Sequence, residues 1–345
     1  MNDIVRVVVV DDSAYVRKVV KQMLSRSPFI EVVGTARDGA EALELIEETG
    51  PDVVTCDLNM PAMDGVAFVR AQMARKPVPI LIISIASGSG EQVLAALDAG
   101  AVDFVQKPTA LATDRLLEIA DELIDKVKAA ARAPMQRIVA PPTIRGPLTL
   151  EAARPTAVDL VVIGTSTGGP QALKAVIPLF PADFPVPVAM VLHMPIGYTE
   201  MYAAKLNEMT SLTVIEAKGG ESVAPGTAFL APAGRHLVFL RGDDGIVRTR
   251  LTSQPLDTPH RPAVDVLFQS AAEVYGSRVL GVVMTGMGAD GRDGSAWIKA
   301  KGGRIITESE ESCVVYGMPR SVVEAGLSDA AAPLDQLAQR IMDSI

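Results

Sequence analysis

A serine in the second half of the chain stands where a nucleophile would be expected. Residues 164–168 read GTSTG, follow an apolar run and fit the pattern G-x-S-x-G. In that pattern glycines permit a sharp turn between a strand and a helix, and Ser166 is presented at the turn. A glycine-rich loop that holds phosphate at a helix N-terminus, and a turn with only a structural role, remain alternatives.

Two other residues could complete a catalytic triad with Ser166. His193 ends an apolar stretch, and Asp290 lies in a glycine-rich loop that follows another. If these stretches are parallel strands, their carboxyl ends share one edge of the sheet, and the three side chains converge there. Ser166 would attack an acyl carbon, His193 would take and return the proton, and Asp290 would orient the imidazole. Backbone N–H groups near Thr167 or Met287, and the Thr167 hydroxyl, could bind the oxyanion.

The other histidines leave the choice of base open. The chain has three histidines, and a lone histidine at a strand end is often a core residue with a structural role. His260 is the main rival base, or a residue of the substrate pocket. Arg261 and Asp265 lie beside it and could form a surface salt bridge. A serine hydrolase therefore competes with two other functions: a binding module with an inactive triad, and a nucleotide-binding domain in which the turn holds phosphate.

The first half of the chain carries acidic residues at matching strand ends. Asp11 and Asp12 follow the first apolar run, and Asp57 follows the third. Carboxylates that lie close together need a cation, and oxygen ligands suit Mg²⁺. Ser84 and Lys107 end two further runs, so a hydroxyl and an ammonium group would join them. The set suits a phosphorylated aspartate, whereas any one of the acids alone would more often be a helix cap.

Elements that could position these residues are visible in both halves. Apolar runs alternate with segments of helical periodicity, which predicts α/β folds with mostly parallel sheets. Residues 227–252 could also contribute antiparallel strands. The predicted strands are 5–10, 31–36, 52–56, 80–84, 102–106, 159–164, 187–193, 227–232, 278–285 and 302–309.

A change in composition separates the two halves. Residues 113–131 have the periodicity of an amphipathic helix, and residues 132–156 carry five prolines and little periodicity. Prolines without periodicity are typical of a linker between domains. We therefore predict a first domain over 1–125, a linker over 126–156 and a second domain over 157–345.

The first half resembles the receiver domain of two-component response regulators. The resemblance covers about residues 4–125 and depends on DDS, DLNMPAMDG and KP. It implies a flavodoxin-like fold and Mg²⁺-dependent phosphorylation of Asp57 by a histidine kinase. The other assignments it implies are Asp11, Asp12, Asp57 and the carbonyl of Asn59 as magnesium ligands, with Ser84, Phe104 and Lys107 as switch residues.

The second half is similar to the catalytic domain of the chemotaxis protein-glutamate methylesterase family, CheB. The matching segments are, in order, IGTSTGGPQAL, LHMP, PAGRHL, HRPAVDVLF, TGMGADG and CVVYGMPRSV. The resemblance implies a doubly wound, mostly parallel α/β domain that uses Ser166, His193 and Asp290 and needs no cofactor for ester hydrolysis. It also implies the substrates: glutamate methyl esters on chemoreceptors, which release methanol, and specific receptor glutamines. The chemotaxis histidine kinase would be the phosphodonor, so phosphorylation of Asp57 would regulate the hydrolase.

Composition argues against several other classes of protein. The net charge of −9 disfavours nucleic-acid binding, which needs a basic face. There is no apolar run of about 18 residues, so we expect no insertion into a membrane. The N-terminus does not resemble a secretory signal, and Cys56 and Cys313 lie in apolar or strand-like stretches. We therefore expect buried free thiols and a cytoplasmic location.

Overall fold

The computed structural model describes residues 4–84, 90–107, 113–135, 147–148 and 157–345. The chain divides into two compact units, Met1–Pro141 and Pro142–Ile345. Most of the predicted linker over 126–156 lies outside the described residues, so its limits remain predictions. Within the described residues, no helix combines the length and the apolar character needed to cross a membrane.

A parallel sheet with five helices makes up the described part of the first unit. The strand order is β2-β1-β3-β4-β5, which is the flavodoxin-like order predicted from the receiver resemblance. Its strands are β1 (Val5–Val10), β2 (Ile30–Ala36), β3 (Val53–Cys56), β4 (Ile80–Ser84) and β5 (Asp103–Gln106). Its helices are α1 (Ala14–Leu24), α2 (Gly39–Thr49), α3 (Gly65–Arg75), α4 (Gly90–Asp98) and α5 (Thr113–Ala130).

Short polar side chains start three of these helices. Ser13, Asp38 and Asp64 accept hydrogen bonds from backbone N–H groups in the first turns of α1, α2 and α3, respectively. Such caps satisfy donors that the helix itself leaves unpaired. They fix the chain where each strand gives way to its helix, at the sheet edge that carries the acidic residues.

The second unit contains a larger parallel sheet and a separate hairpin. Among the described residues the sheet order is β14-β13-β12-β6-β7-β9-β8, and β10 pairs with β11 as an antiparallel hairpin. The strands are β6 (Leu160–Thr165), β7 (Val188–Leu192), β8 (Thr213–Glu216), β9 (Thr227–Leu230), β10 (His236–Arg241), β11 (Val247–Thr252), β12 (Val279–Val283), β13 (Arg304–Glu308) and β14 (Ala330–Ala332). The helices are α6 (Gly169–Val176), α7 (Thr199–Asn207), α8 (Val264–Tyr275), α9 (Arg292–Ala300), α10 (Met318–Glu324) and α11 (Leu334–Met342).

The order of this sheet reverses at β6, as it does in doubly wound folds. β7 pairs with one side of β6, and β12 pairs with the other. Loops at such a reversal diverge and leave a crevice at the carboxyl ends of the strands. Helix α8 packs against β6, and its Leu267 and Phe268 belong to the buried core. The predicted mostly parallel α/β domain is therefore confirmed.

Candidate active site and phosphorylation site

Two of the buried acids of the first unit, Asp11 and Asp57, lie side by side. β1 and β3 pair through Val10 and Cys56, and Asp11 and Asp57 are the next residues of the two strands. Lys107 follows β5, and its Nζ lies 2.7 Å from Oδ2 of Asp11 and 2.8 Å from Oδ2 of Asp57. The structure thus brings together three of the groups that the sequence predicted at this edge.

Burial and the close ion pairs together determine the pKa values of the groups in this cluster. Burial raises the pKa of Asp11, and the hydrogen bond with Lys107 offsets that effect only in part. Burial alone would lower the pKa of Lys107, but hydrogen bonds and charges from Asp11 and Asp57 outweigh it and raise that pKa. Lys107 is therefore held as a cation against the two carboxylates.

The same edge offers oxygen ligands for a divalent cation. One carboxylate oxygen from each of Asp11, Asp12 and Asp57 lies within 4.8 Å of the others. Asp12 is exposed, and so is Asn59, which lies two residues after Asp57. This face of the cluster is therefore open to solvent. Several carboxylates with an open face are a donor set that fits Mg²⁺, which keeps part of its water shell.

Ser84 and Phe104 are buried on the neighbouring strands. Ser84 is the last residue of β4, and its carbonyl accepts a hydrogen bond of 2.7 Å from the Lys107 N–H. The Phe104 ring is buried, and Nζ of Lys126 lies 5.8 Å from its centre. The side chain of Lys126 also donates to the Phe104 carbonyl at 2.7 Å, a contact that the sequence did not predict.

Ser166 occupies a tight turn between β6 and α6. Gly168 has a φ of +80°, which favours glycine, and a Cβ atom there would lie 2.7 Å from Cβ of Val314. The N–H of Ser166 donates to the Thr285 carbonyl at 3.0 Å. A Cβ atom on Gly286 would lie 2.9 Å from Cβ of Ser166. The turns after β6 and β12 therefore need small residues because they approach each other closely.

His193 and Asp290 form the pair that the triad requires. Nε2 of His193 lies 2.8 Å from Oδ2 of Asp290, and only 10% and 9% of the two side chains are exposed. An ionised carboxylate can only accept, so Nε2 carries a proton, and in the neutral imidazole Nδ1 then has the lone pair. Nδ1 is buried and has no hydrogen-bond partner among the described residues. It is the nitrogen available to act as a base.

The strand register places His193 next to the serine turn. Thr165 pairs with Leu192 across β6 and β7, and Ser166 and His193 directly follow these two residues. The His193 N–H donates to the Thr165 carbonyl at 3.2 Å. Three consecutive neighbours of the sheet, β7, β6 and β12, thus precede His193, Ser166 and the loop of Asp290.

The N-terminus of α8 holds the carboxylate of Asp290. Oδ2 accepts from the N–H of Val264 at 2.7 Å, and Oδ1 accepts from the N–H of Asp265 at 2.9 Å. Burial by itself would raise the pKa of Asp290, but hydrogen bonding and charge from His193 and these two N–H groups lower it to about 2. Asp290 is therefore ionised and able to stabilise an imidazolium.

The other two histidines occupy different positions. His236 is fully buried, its Nδ1 accepts from the N–H of Ala263 at 3.1 Å, and its pKa is lowered mainly by burial. His236 begins β10, and through this hydrogen bond it holds the loop before α8 in a structural role. His260 is exposed, and its ring stacks on that of His193 with 4.1 Å between ring centres. His260 therefore flanks the site, where it could contact a substrate.

The predicted oxyanion residues lie on the turns around Ser166. Thr167 is buried, and its carbonyl accepts from Oγ1 of Thr285 at 2.9 Å. Met287 is half-buried, and its backbone N–H has no acceptor among the described residues. A backbone N–H that is free to donate is what an oxyanion requires.

Family models match both units of the chain. A model described as CheB methylesterase matches residues 161–341, and one described as response regulator receiver domain matches residues 7–121. The chain belongs to the CheB methylesterase family.

Relatives of the family resemble this chain over almost its full length. It is 50% identical over 336 residues to protein-glutamate methylesterase/protein-glutamine glutaminase 5 of Myxococcus xanthus, covering 96% of this chain and 95% of that protein. A protein of Geobacillus kaustophilus with the same name but no number is 44% identical over 347 residues, covering 99% of both chains. The crystal structure of the CheB methylesterase catalytic domain of Thermotoga maritima matches with a TM-score of 0.53 and 41% identity, covering 55% of this chain and 99% of that one.

Sequence reasoning missed several residues that shape this CheB site. Asp265 does not pair with Arg261 within the described structure; its Oδ1 accepts from Gly291 N at 2.9 Å and Gly294 N at 2.6 Å. The surface salt bridge proposed as an alternative is therefore wrong. Glu308 is fully buried and accepts from the N–H of Thr285 at 2.8 Å. A carboxylate within a strand-like sequence was a signal for Glu308, but its partner could not be read from the sequence.

Proposed function

We propose that the protein hydrolyses glutamate methyl esters on chemoreceptors and releases methanol, and that it also deamidates particular receptor glutamines. The observation that carries this proposal is the buried His193–Asp290 pair with Nδ1 available, next to the turn of Ser166. The names of the relatives supply the substrate class. The protein would act on the cytoplasmic part of these receptors, and it would therefore work in the cytoplasm.

The site residues would divide the reaction between them. Oγ of Ser166 attacks the ester carbonyl carbon while Nδ1 of His193 takes its proton. The N–H of Met287, with donors of Thr167, stabilises the oxyanion of the tetrahedral intermediate. Its collapse breaks the C–O bond, and His193 returns the proton to methanol. A water molecule, deprotonated by His193, then attacks the acyl-enzyme and frees the glutamate and Ser166.

The same residues would serve a glutamine side chain, with a greater demand on the general acid. The first step then breaks a C–N bond and releases ammonia instead of methanol. An amide nitrogen is a poorer leaving group than an alkoxide, so proton donation by His193 must accompany bond cleavage. The ionised Asp290 supports this step because it stabilises the imidazolium that donates the proton.

Phosphorylation of Asp57 would regulate the hydrolase. A chemotaxis histidine kinase would supply the phosphoryl group, and Lys107 would neutralise part of its charge. The ligands of Mg²⁺ would be Asp11, Asp12, Asp57 and the carbonyl of Asn59. When bound, the cation would neutralise charge during phosphoryl transfer. Ser84 and Phe104 would respond to the phosphoryl group as the switch residues.

Methanol release from methylated receptor membranes tests the proposed activity. Ser166→Ala should abolish turnover because no other described group replaces the nucleophile. Ser253→Ala removes an exposed hydroxyl in the loop after β11 and is the matched control. Full methanol release by Ser166→Ala would contradict the proposal. A nucleotide-binding site at the turn would instead be supported if the wild type bound nucleotide without any turnover and Ser166→Ala weakened that binding.

A further inference from the structure

Two carboxylates of the hydrolase unit cap each other's helices. Asp290, in the loop before α9, accepts two N–H groups at the start of α8. Asp265, in the first turn of α8, accepts two N–H groups at the start of α9. The exchange is reciprocal, and only one of the two acids also pairs with His193.

Neither helix has a capping side chain of its own. Ala263 and Gly291 occupy the cap positions of α8 and α9, and neither makes a side-chain hydrogen bond. Helix N-termini leave backbone donors unpaired, and a carboxylate satisfies them well because the helix dipole favours negative charge there. The cap of α9 therefore depends on a side chain from α8.

The loop that carries Asp290 needs this support. It contains Gly288 and Gly291, both with positive φ, and it connects the end of β12 to α9. Glycines leave a backbone with many alternatives, so contacts from outside the loop must select one of them. Asp265 binds the N–H of Gly291, the residue directly after Asp290, at 2.9 Å.

The two helix starts are also in close contact. A Cβ atom on Gly294 would lie 2.8 Å from Cα of Asp265 and 2.6 Å from Cβ of Phe268. The distance between the two helices is therefore fixed by packing as well as by the carboxylates. Movement at Asp265 would be passed directly to the loop of Asp290.

We propose that Asp265 is a positioning residue of the hydrolase site, whose carboxyl group fixes the loop of Asp290 and thereby the orientation of His193. This inference rests on the proposed function, because it assigns His193 and Asp290 to ester hydrolysis. Asp265 itself touches neither substrate nor nucleophile in this assignment. It acts through the two N–H groups of Gly291 and Gly294.

The surroundings of Asp265 also affect the charge of its carboxyl group. Burial raises the pKa of Asp265 to about 7, and the nearby charges of Asp290 and Asp293 act in the same direction, whereas the Gly294 N–H opposes them. The guanidinium group of Arg292 also interacts with Asp265 through its charge. Both the neutral and the ionised carboxyl group retain an oxygen that accepts N–H groups, so Asp265 can hold the loop in either form.

Kinetics of three variants in the full-length protein test the proposal. Asp265→Ala should lower kcat for methanol release about ten- to a hundred-fold with little change in KM, because the triad is misplaced rather than removed. Asp265→Asn should restore most of kcat, since the amide oxygen can accept the same two N–H groups. The matched control is Asp293→Ala, which removes an exposed acid from the first turn of α9 and should keep wild-type kinetics.

A spectroscopic measurement separates positioning from loss of folding. The chain has three histidines, so ¹⁵N imidazole signals can be assigned by single substitutions. In Asp265→Ala the His193 signals should lose the pattern of a proton fixed on Nε2, while those of His236 stay unchanged. If Asp265→Ala does not fold, Asp265→Ser, which keeps one short acceptor, takes its place with the same expected changes.

Wild-type kcat in Asp265→Ala, or unchanged His193 signals in a folded variant, would overturn the proposal. Loss of kcat in Asp265→Asn equal to that in the alanine variant would also overturn it. Failure of the proposed function is a different result, because the wild type itself would then release no methanol. The His193 signals report on positioning in either case.

Discussion

Asp290 serves the histidine and a helix with the same carboxylate. Its Oδ2 accepts from both His193 and the N–H of Val264, so the proton on Nε2 and the start of α8 are fixed together. An imidazole held in this way presents one defined tautomer. The N–H of Val264 thus helps to orient the carboxylate that holds the proton on Nε2 of His193.

Asp290→Asn should lower kcat for ester hydrolysis by about 10³- to 10⁴-fold. The amide can donate to the imidazole, which favours the wrong tautomer, and it no longer stabilises the imidazolium. Methanol release at saturating substrate measures the effect. Asp293→Asn is the control three residues along the chain, and an equal loss in both variants would contradict the assigned role of Asp290.

Asp265 should make stability depend on pH in the opposite sense to Asp290. Its pKa is raised from 3.8 to about 7, so between these values the folded protein keeps a proton that the unfolded chain has released. The free energy of unfolding contributed by this group therefore falls as pH rises from about 4 to about 7. The lowered pKa of Asp290 instead adds stability that is lost as pH falls from about 4 to about 2.

Urea unfolding at pH 5 and pH 8 tests this prediction. The wild type should lose more stability between the two pH values than Asp265→Asn, whose amide does not ionise. Asp335→Asn, at an exposed acid of α11, provides the comparison. An identical pH dependence in wild type and Asp265→Asn would show that Asp265 does not titrate in this range.

At the scale of elements, Thr285 joins the segments that surround Ser166. Its Oγ1 donates to the Thr167 carbonyl at 2.9 Å and accepts from the Val315 N–H at 3.0 Å. Its own carbonyl accepts from Oγ1 of Thr165 at 2.6 Å. One buried threonine therefore connects three segments by hydrogen bonds: the end of β6, the end of β12 and the segment before α10.

Thr285→Val should destabilise the protein by about 1–3 kcal/mol, because it removes the hydrogen bonds of the side chain with the Thr167 carbonyl and the Val315 N–H. Methanol release should fall as well, since the Ser166 turn loses a contact. Urea unfolding and kcat measure the two effects. Thr213→Val, at an exposed position of β8, is the control and should change neither. A stability equal to wild type in Thr285→Val would contradict the role of the hydroxyl.

The sequence predicted the long buried strands well for a physical reason. Strands such as β6 are covered on both faces, so they appear as continuous apolar runs followed by turn residues. All ten predicted strands are present, and their ends differ from the predicted ends by at most two residues. The short strands β8 and β14 were not predicted, because Thr213–Glu216 is only partly apolar and Ala330–Ala332 contains only alanine.

The candidate triad could be predicted because each member follows a parallel strand. The reciprocal caps could not, because Asp265 and Asp290 belong to segments whose contact depends on how α8 and α9 pack. The same holds for the stacking of His260 on His193. Local spacing predicts which residues reach the sheet edge, whereas partners supplied by helix packing require the structure.

At the scale of the whole molecule, both units use the same geometric principle. Each has a parallel sheet whose strand order reverses, and each places its chemistry-bearing residues at the carboxyl ends beside that reversal. In the first unit these residues are acids and a lysine; in the second they are a serine, a histidine and an acid. One architecture therefore positions the residues of a candidate phosphorylation site and of a candidate hydrolase site in a single chain.

A small-molecule phosphodonor with Mg²⁺ should raise methanol release by the intact protein. Removal of Mg²⁺ with EDTA should abolish the rise, because the acids around Asp57 need the cation for phosphoryl transfer. Methanol release without the donor should not respond to EDTA. Asp57→Ala should also remove the rise, whereas Glu47→Ala, at an exposed site on α2, should keep it. A rise that persists in Asp57→Ala would place the phosphorylation site elsewhere.

The two cysteines are free and buried, and each unit contains one of them. Cys56 directly precedes Asp57, and burial raises its thiol pKa well above the ordinary value. Sγ of Cys313 lies 3.9 Å from the carbonyl oxygen of Glu308. A thiol reagent can reach either group only when its unit opens locally. The native chain therefore contains two built-in reporters, and their separate labelling rates would measure the opening of each unit without engineered probes.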